Sequence, residues 1–534
     1  MAEAYDYIVT GAGSAGCVVA RRLAEDGRYS VLLLEAGPPD NNPWIHIPLG
    51  YAKTYVDPRV NWKFETEPQP QMQGRKLYLP RGKTLGGSSS INGMVYIRGN
   101  HADYDEWRQR GCTGWDWDSV LPYFKKAENQ ARGADEFHGV GGPLHVNDQA
   151  EQGKLSHAVL DACAQAGIPR NPDFNGKVQE GCGYYQTTTS NKRRWSAAKA
   201  YLSNPPNTLT IRTGTHATKV LITNNRATGV EFHTAAGRQT AEARREVIVS
   251  GGAYGSPQLL LLSGLGPAEH LRDMGIEVIL DMQAVGSNLH DHFNTAASWR
   301  VTGVRTLNEL YRSPLRQAGV GVRYALFRSG PMASNGVTVG LFTRSDTRLE
   351  RPDIQVNLME FSTKERSRAA VTPHSFPGFT LTPVHLRPEG RGSVRLKSPD
   401  SLAAPAVLFD YLRTEYDIRA SIAGLRLVRR IAEQPALKPY VVSEIFPGVD
   451  VESDDDMLDY IRRTGVSNQH PTSSCSMGTG TNTVVDPRLR VHGVDGLRVA
   501  DASIMPVVVG GNTNAPTIMI GEKCAAMMLE DARW

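Results

Sequence analysis

The chain has 534 residues, with 59 Lys and Arg set against 55 Asp and Glu for a net charge of +4, so it is long enough for more than one domain and carries no cationic excess for a nucleic-acid partner. Its six cysteines (Cys17, Cys112, Cys163, Cys182, Cys475 and Cys524) include no CxxC pair, which predicts reduced thiols and no metal site. Glu3 and Asp6 stand where a signal peptide would carry Lys or Arg, and the apolar run Val31–Leu34 is too short to span a bilayer, which together favour a cytoplasmic chain without an integral membrane segment.

In chain order, the short apolar strand around Tyr7-Ile8-Val9 leads into Gly11-Ala12-Gly13-Ser14-Ala15-Gly16. A helix-like stretch from Cys17 to Glu25 and a second strand, Val31–Leu34, follow. This is a βαβ unit with a dinucleotide-binding turn. Gly11 permits the turn, Gly13 lets a pyrophosphate approach the backbone, and Gly16 lets helix and strand pack closely. Glu35, closing the second strand, is placed to accept hydrogen bonds from an adenosine ribose and disfavours a 2′-phosphate. The motif by itself does not separate NAD from FAD.

The rest of the nucleotide fold is predicted from separated pieces: Arg245–Val249 running into Ser250-Gly251-Gly252-Ala253, Leu497–Ala500 ending at Asp501, and a last helix after Pro516. Between them, Phe379–Leu386 and Gly392–Leu396 alternate as antiparallel strands do, and Glu415–Glu433 has helical spacing. Glu452–Asp456 reads as a solvated helix N-terminus. The expected fold is therefore α/β: a Rossmann-like nucleotide domain (1–150, 206–299 and 463–534) interleaved with an α+β substrate domain (151–205 and 300–462) built on an antiparallel sheet. Near the C-terminus stand Ser467-Asn468-Gln469-His470-Pro471 and Gly510-Gly511-Asn512-Thr513-Asn514-Ala515-Pro516-Thr517. A histidine and an amide there would make an alcohol-oxidising site if a flavin lay between them and the nucleotide loop.

Two further segments, Gly82-Lys83-Thr84-Leu85-Gly86-Gly87-Ser88-Ser89-Ser90-Ile91-Asn92 and Gly252-Ala253-Tyr254-Gly255-Ser256-Pro257-Gln258 continuing to Gly266, resemble the two signatures of the glucose–methanol–choline (GMC) family of FAD-dependent oxidoreductases. The resemblance extends over nearly the whole chain. It implies an FAD-binding domain, with contacts at Gly86, Gly87, Ser88, Asn92, Gly93 and Val95 in addition to Gly11, Gly13, Ser14, Ala15, Gly16, Glu35 and Ala36. It also implies contacts at Val220, Asp501, Ala502, Asn512 and Thr513. Where some relatives attach FAD through a histidine, this chain has Ile91, so non-covalent FAD is expected.

By the same resemblance His470 is the catalytic base and Asn514 its partner, hydrogen-bonded to the substrate oxygen, with an apparent pKa for the base near about 6.5. The helix beginning at Asn514 would turn its positive end toward the flavin. Asn468, Gln469, Thr338 and His385 are candidate substrate-pocket residues, although a structural role is the stronger reading for His385. Thr338 stands at the position where choline-oxidising relatives carry an acid, so the expectation is a small, primary, uncharged alcohol, with oxygen or a quinone as acceptor. The alternatives are a choline-type dehydrogenase and a flavin-containing lyase or photodecarboxylase, the photochemical version of which lacks the histidine. The family's Gly-Thr after His-Pro-x is replaced here by Ser473-Ser474.

Overall fold

The computed structural model describes residues 3–365 and 372–533. The strands Glu3–Thr10 and Val31–Leu34 lie parallel, with Tyr7 beside Val31 and Thr10 beside Leu34. Leu209–Arg212 extends this sheet on one side, and Gly237–Val249 followed by Leu497–Val499 extends it on the other. Val31–Leu34 is apolar at every position because both faces of a parallel sheet are covered. Thr10, Leu34 and Val249 end side by side, so Gly11, Glu35, Ser250 and, after the neighbouring strand, Asp501 emerge at one edge. Ligands of open parallel sheets bind at that edge. The helices Ser14–Glu25 and Asn514–Asp531 pack against each other. The first half of Gly237–Val249 forms an antiparallel ladder with Arg226–Thr234, which pairs in turn with His216–Thr223.

The second sheet is antiparallel, in the order Val441–Phe446, Ala297–Val301, Gly378–His385, Ile354–Met359, Val337–Thr343, Gly181–Tyr184. Alternation along its strands separates two faces. Val356, Leu358, Phe379 and Leu381 join a core with residues of the helices Lys154–Gln165 and Glu415–Ala432. Asn357, Met359, Thr380 and Thr382 line a cavity on the opposite face. The fold is thus the expected mixture of a parallel-rich nucleotide sheet and a large antiparallel sheet.

The sheets divide the chain at different points from those expected. Phe293–Asn294, the first three residues of Ala297–Val301 and Val466–Ser467 fall in the ranges assigned to the nucleotide domain, yet these segments are strands of the antiparallel sheet or pair with it. Conversely, Ala197–Tyr201 packs on the helix Ser14–Glu25. Such short segments have the same apolar texture in either domain, and only the pairing partner distinguishes them. The predicted strand within Gly392–Leu396 forms as Ser393–Arg395 and makes its ladder with Ala406–Leu408, outside the large sheet. Among the described residues no helix is long and apolar enough to cross a membrane, and no cluster of His, Cys, Asp or Glu could hold a metal ion. All six cysteines are free and buried.

Candidate active site

A cavity of about 860 Å³ runs from the edge of the parallel sheet to the antiparallel sheet. At its nucleotide end Gly11, Gly13, Ser14, Ala15, Glu35 and Ala36 line it, and farther along so do Gly87, Ser88, Asn92, Gly93 and Val95. The two glycine-bearing loops touch: a Cβ on Gly87 would lie 2.7 Å from Gly13 Cα, so neither loop could approach with a side chain between them. The Glu35 carboxylate accepts the N–H groups of Ala12 (3.0 Å) and Gly37 (2.9 Å), while burial raises its pKa to about 7. The Thr10 hydroxyl, also lining the cavity, is buried without a protein partner. Three helices, Ser14–Glu25, Gly252–Leu262 and Asn514–Asp531, begin on the cavity wall and turn their positive ends toward it. Acceptors for ribose hydroxyls at one end and donors for phosphate and carbonyl oxygens farther in suit an FAD molecule.

His470, Asn468, Gln469 and Asn512 line the other end. The loop that carries His470 is clamped from below by Asp291 and His292. The Asp291 carboxylate accepts the His470 backbone N–H (2.7 Å), the Ser467 hydroxyl (2.5 Å) and the Tyr411 hydroxyl (2.6 Å), and the His292 carbonyl accepts the Asn468 N–H (2.8 Å). The two imidazoles stand edge to face with their Nδ1 atoms 2.9 Å apart. Burial lowers the pKa of both, that of His470 to about 3, and the Arg81 guanidinium adds to the shift at His470. His470 is therefore neutral at ordinary pH, which replaces the expected value near 6.5.

Hydrogen bonds determine which nitrogen of His470 carries the proton. Gln355 Nε2 donates to Asn512 Oδ1 (3.2 Å), which turns Asn512 Nδ2 toward His470 Nε2 (3.1 Å). Nε2 is thereby an acceptor, and the proton resides on Nδ1, facing His292. Asn468 Nδ2 lies 3.3 Å from the same Nδ1. A protonated Nδ1 requires amide N and O to be exchanged at Asn468 and Asn294, so that Asn468 Oδ1 faces Nδ1 and Asn468 Nδ2 donates to Asn294 Oδ1.

The amide facing His470 is thus Asn512, a residue expected to serve the cofactor, whereas Asn514 accepts a hydrogen bond from Ser14 Oγ (2.7 Å). Both line the cavity with Thr513, but Asn514 opens the last helix while Asn512 precedes it, so the two side chains leave differently oriented backbone and only the Asn512 amide is hydrogen-bonded to the histidine. Asp501 and Ala502 also line the cavity, and the Asp501 carboxylate is engaged by Gly252 N–H (2.8 Å) and the Ser256 hydroxyl (2.5 Å).

Five expected site residues lie off the cavity. Thr338 lies within the β-bulge between Val337 and Gly340. The bulge keeps Val337 on the cavity and turns Thr338 to the helix side, where its hydroxyl meets Ser156 Oγ at 2.8 Å. His385 has the same parity as Phe379 and Leu381, and its Nε2 contacts Asp417 (3.1 Å) in the helix Glu415–Ala432. Val220 lies beyond the part of its strand that reaches the cavity, at Thr215–Ala217, and its N–H is held by Ser263 Oγ (2.8 Å). Gly86 supports the loop through its N–H to Ala12 O (2.8 Å). Gly16 likewise acts by packing, since a Cβ there would stand 1.9 Å from Gly11 O. Ser473 takes φ 74°, the left-handed conformation that favours glycine. The sequence reading missed His292, Asn294, Gln355, Asn357, Thr380 and Thr382. Of these, Thr380 and Thr382 were visible as the polar half of the alternating stretch Phe379–Leu386.

A parallel nucleotide sheet, an antiparallel substrate sheet and a histidine–asparagine pair at the far end of one cavity define a flavin-dependent oxidoreductase acting on CH–OH donors. Residues 5–294 and 388–521 match the GMC oxidoreductase family, and the chain belongs to it. It is 41% identical over 529 residues to the oxygen-dependent choline dehydrogenase of Brucella melitensis biotype 1, covering 98% of this chain and 95% of that one. To the enzyme of the same name from Pseudomonas fluorescens it is 43% identical over 536 residues, covering 98% and 94%. Among solved structures, pyridoxine 4-oxidase from Mesorbium loti superposes with a TM-score of 0.89 at 29% identity, covering 98% of this chain and 99% of that one. A formate oxidase variant from Aspergillus oryzae gives 0.93 at 27%, covering 99% of each.

Proposed function

We propose that this FAD-dependent enzyme oxidises a primary alcohol to the aldehyde, with His470 Nε2 taking the hydroxyl proton and Asn512 Nδ2 donating to the substrate oxygen. The observation that carries this reading is the 3.1 Å between those two nitrogens on the cavity wall, a spacing that lets one oxygen come within hydrogen-bond reach of both. Bound FAD supplies the acceptor for the hydride from the carbinol carbon. Gln355 sets the Asn512 amide and His292 Nδ1 accepts the hydrogen bond from His470 Nδ1–H, so Nε2 keeps its lone pair toward the cavity. Because burial disfavours the imidazolium, proton transfer to His470 is favourable only as negative charge on the alcohol oxygen is relieved by loss of the hydride. FAD is held without a covalent bond, since Ile91 offers no nucleophile at the position where some relatives carry the linking histidine.

The alcohol is of the choline class. The names of the curated relatives support this, and the rings of Tyr51, Tyr55, Tyr311 and Phe361 line the cavity together with the Glu365 carboxylate, groups suited to a quaternary ammonium. This reading replaces the expectation of an uncharged alcohol, whose premise, Thr338, lies outside the cavity. A second reading, an uncharged primary alcohol, is favoured by the neutral face formed by Asn294, Asn357, Met359, Thr380 and Thr382. The two are separated by mixing the FAD-loaded enzyme anaerobically with choline and with an uncharged analogue of the same shape. Bleaching by choline alone supports the first reading, and bleaching by the analogue alone replaces it with the second. Recovery of colour in air, rather than only with a quinone dye, assigns oxygen as the acceptor, as the relatives' names suggest.

A further inference from the structure

The helix Pro314–Phe327 is attached along one side only. Tyr324 is its single buried residue, and the Tyr324 hydroxyl donates to Lys192 O (2.9 Å). On the opposite side Leu315, Val322 and Leu326 form one stripe, because spacings of seven and four residues return to the same face of a helix. These three are 85%, 58% and 69% exposed, and Phe327 at the helix end is 71% exposed. A surface helix ordinarily turns such a stripe toward the core; here it faces outward. Arg316 and Arg323 flank the stripe, Arg312 and Arg328 stand at the two ends, and Lys192 and Arg193 are exposed on the adjoining turn. Residues 310–345 contain no Asp or Glu. The same segment borders the cavity: Gln317 and Val320 line it, and Tyr311, 45% exposed, marks its mouth.

We propose that this helix docks in the headgroup region of an anionic phospholipid bilayer and holds the mouth of the cavity against the lipid. An outward apolar stripe flanked by arginines is the pattern of a helix lying in a membrane interface, where the apolar side chains enter the acyl boundary and the cations meet anionic headgroups. Charge favours this occupant over a second copy of the chain, because a two-fold contact through the stripe would bring arginines against arginines. Attachment rests on this helix; among the described residues no helix is long and apolar enough to cross a membrane.

The test is co-sedimentation of the full-length, FAD-loaded protein with vesicles of phosphatidylcholine alone and of phosphatidylcholine with phosphatidylglycerol. The expected result is binding to the anionic vesicles that weakens as salt is raised. In the double variant Leu315→Asp/Leu326→Asp binding should fall by more than about tenfold, with dye-coupled alcohol oxidation unchanged because neither leucine lines the cavity. Arg312→Glu/Arg316→Glu should weaken binding to anionic vesicles in the same way. Failure to bind either vesicle, or binding by the double leucine variant equal to that of the parent, overturns the proposal. A concentration-dependent dimer that the leucine substitutions abolish would give the stripe to a second copy and overturn it as well.

Discussion

Replacing Asn512 with alanine removes one hydrogen bond at the reacting pair while leaving the imidazole, its partner His292 and the glycine-rich loop in place. In the resting site the contact of Asn512 Nδ2 with His470 Nε2 (3.1 Å) joins neutral groups and contributes about 1 kcal/mol. As the alcohol proton passes to His470, the same amide faces an oxygen bearing negative charge, and a hydrogen bond of that kind is worth about 1.5–3 kcal/mol. Its loss therefore slows reduction of the cofactor roughly 10- to 150-fold. Gln355 keeps its bond to the Tyr185 hydroxyl (2.8 Å), so the sheet behind the site retains its support. Asn514→Ala acts elsewhere. It deletes the acceptor of the Ser14 hydroxyl (2.7 Å) between two packed helices, which should weaken FAD retention several-fold and leave the FAD-loaded fraction reacting within about threefold of the parent. Anaerobic stopped-flow bleaching at saturating alcohol, with FAD per chain measured on the same samples, separates the two effects. A larger loss of rate in Asn514→Ala than in Asn512→Ala would refute the assignment and restore Asn514 as the partner of the base.

His470→Ala should retain FAD and fold but lose reduction by at least about 10²–10⁴-fold, the contribution of a positioned base; bleaching within a few-fold of the parent would remove His470 from that role. Because burial holds the His470 pKa at about 3, the reduction rate should show no histidine break near 6.5, and an inflection there that vanishes in His470→Ala would contradict the burial argument. The same depressed pKa makes stability fall as pH drops from about 6.5 toward 3, since the unfolded chain takes up a proton that the folded site refuses; urea titrations of the parent and His470→Ala across that range measure it. Glu35→Ala should weaken FAD binding by about tenfold or more through loss of charge-assisted hydrogen bonds, while the loaded fraction is reduced at the parent rate; unchanged affinity in a fluorescence titration would take Glu35 out of the site. Acid precipitation should release all the FAD into the supernatant, and flavin in the pellet would contradict non-covalent binding.

The nucleotide half of the molecule was legible in the sequence because its signals are local. The turn Gly11–Gly16, the apolar strand Val31–Leu34 and the terminal acid Glu35 are all read within one βαβ unit, where the left-handed φ of Gly11 and the contact of Gly16 with Gly11 O are local requirements. The helix predicted over Glu415–Glu433 forms as Glu415–Ala432 for the same reason, since its periodicity is contained in its own residues. The catalytic end depended on relations between distant segments. Whether Asn512 or Asn514 meets His470 is decided by the rotation of one helix start against a loop about forty residues earlier. Gln355, from the antiparallel sheet, then fixes the amide. Thr338 left the cavity because of a single bulge, and His385 because of strand parity, and neither can be read until the pairing partners and the face covered by helices are known. The low pKa of His470 has the same origin: desolvation is a property of everything packed around the ring, and only the folded chain supplies those neighbours.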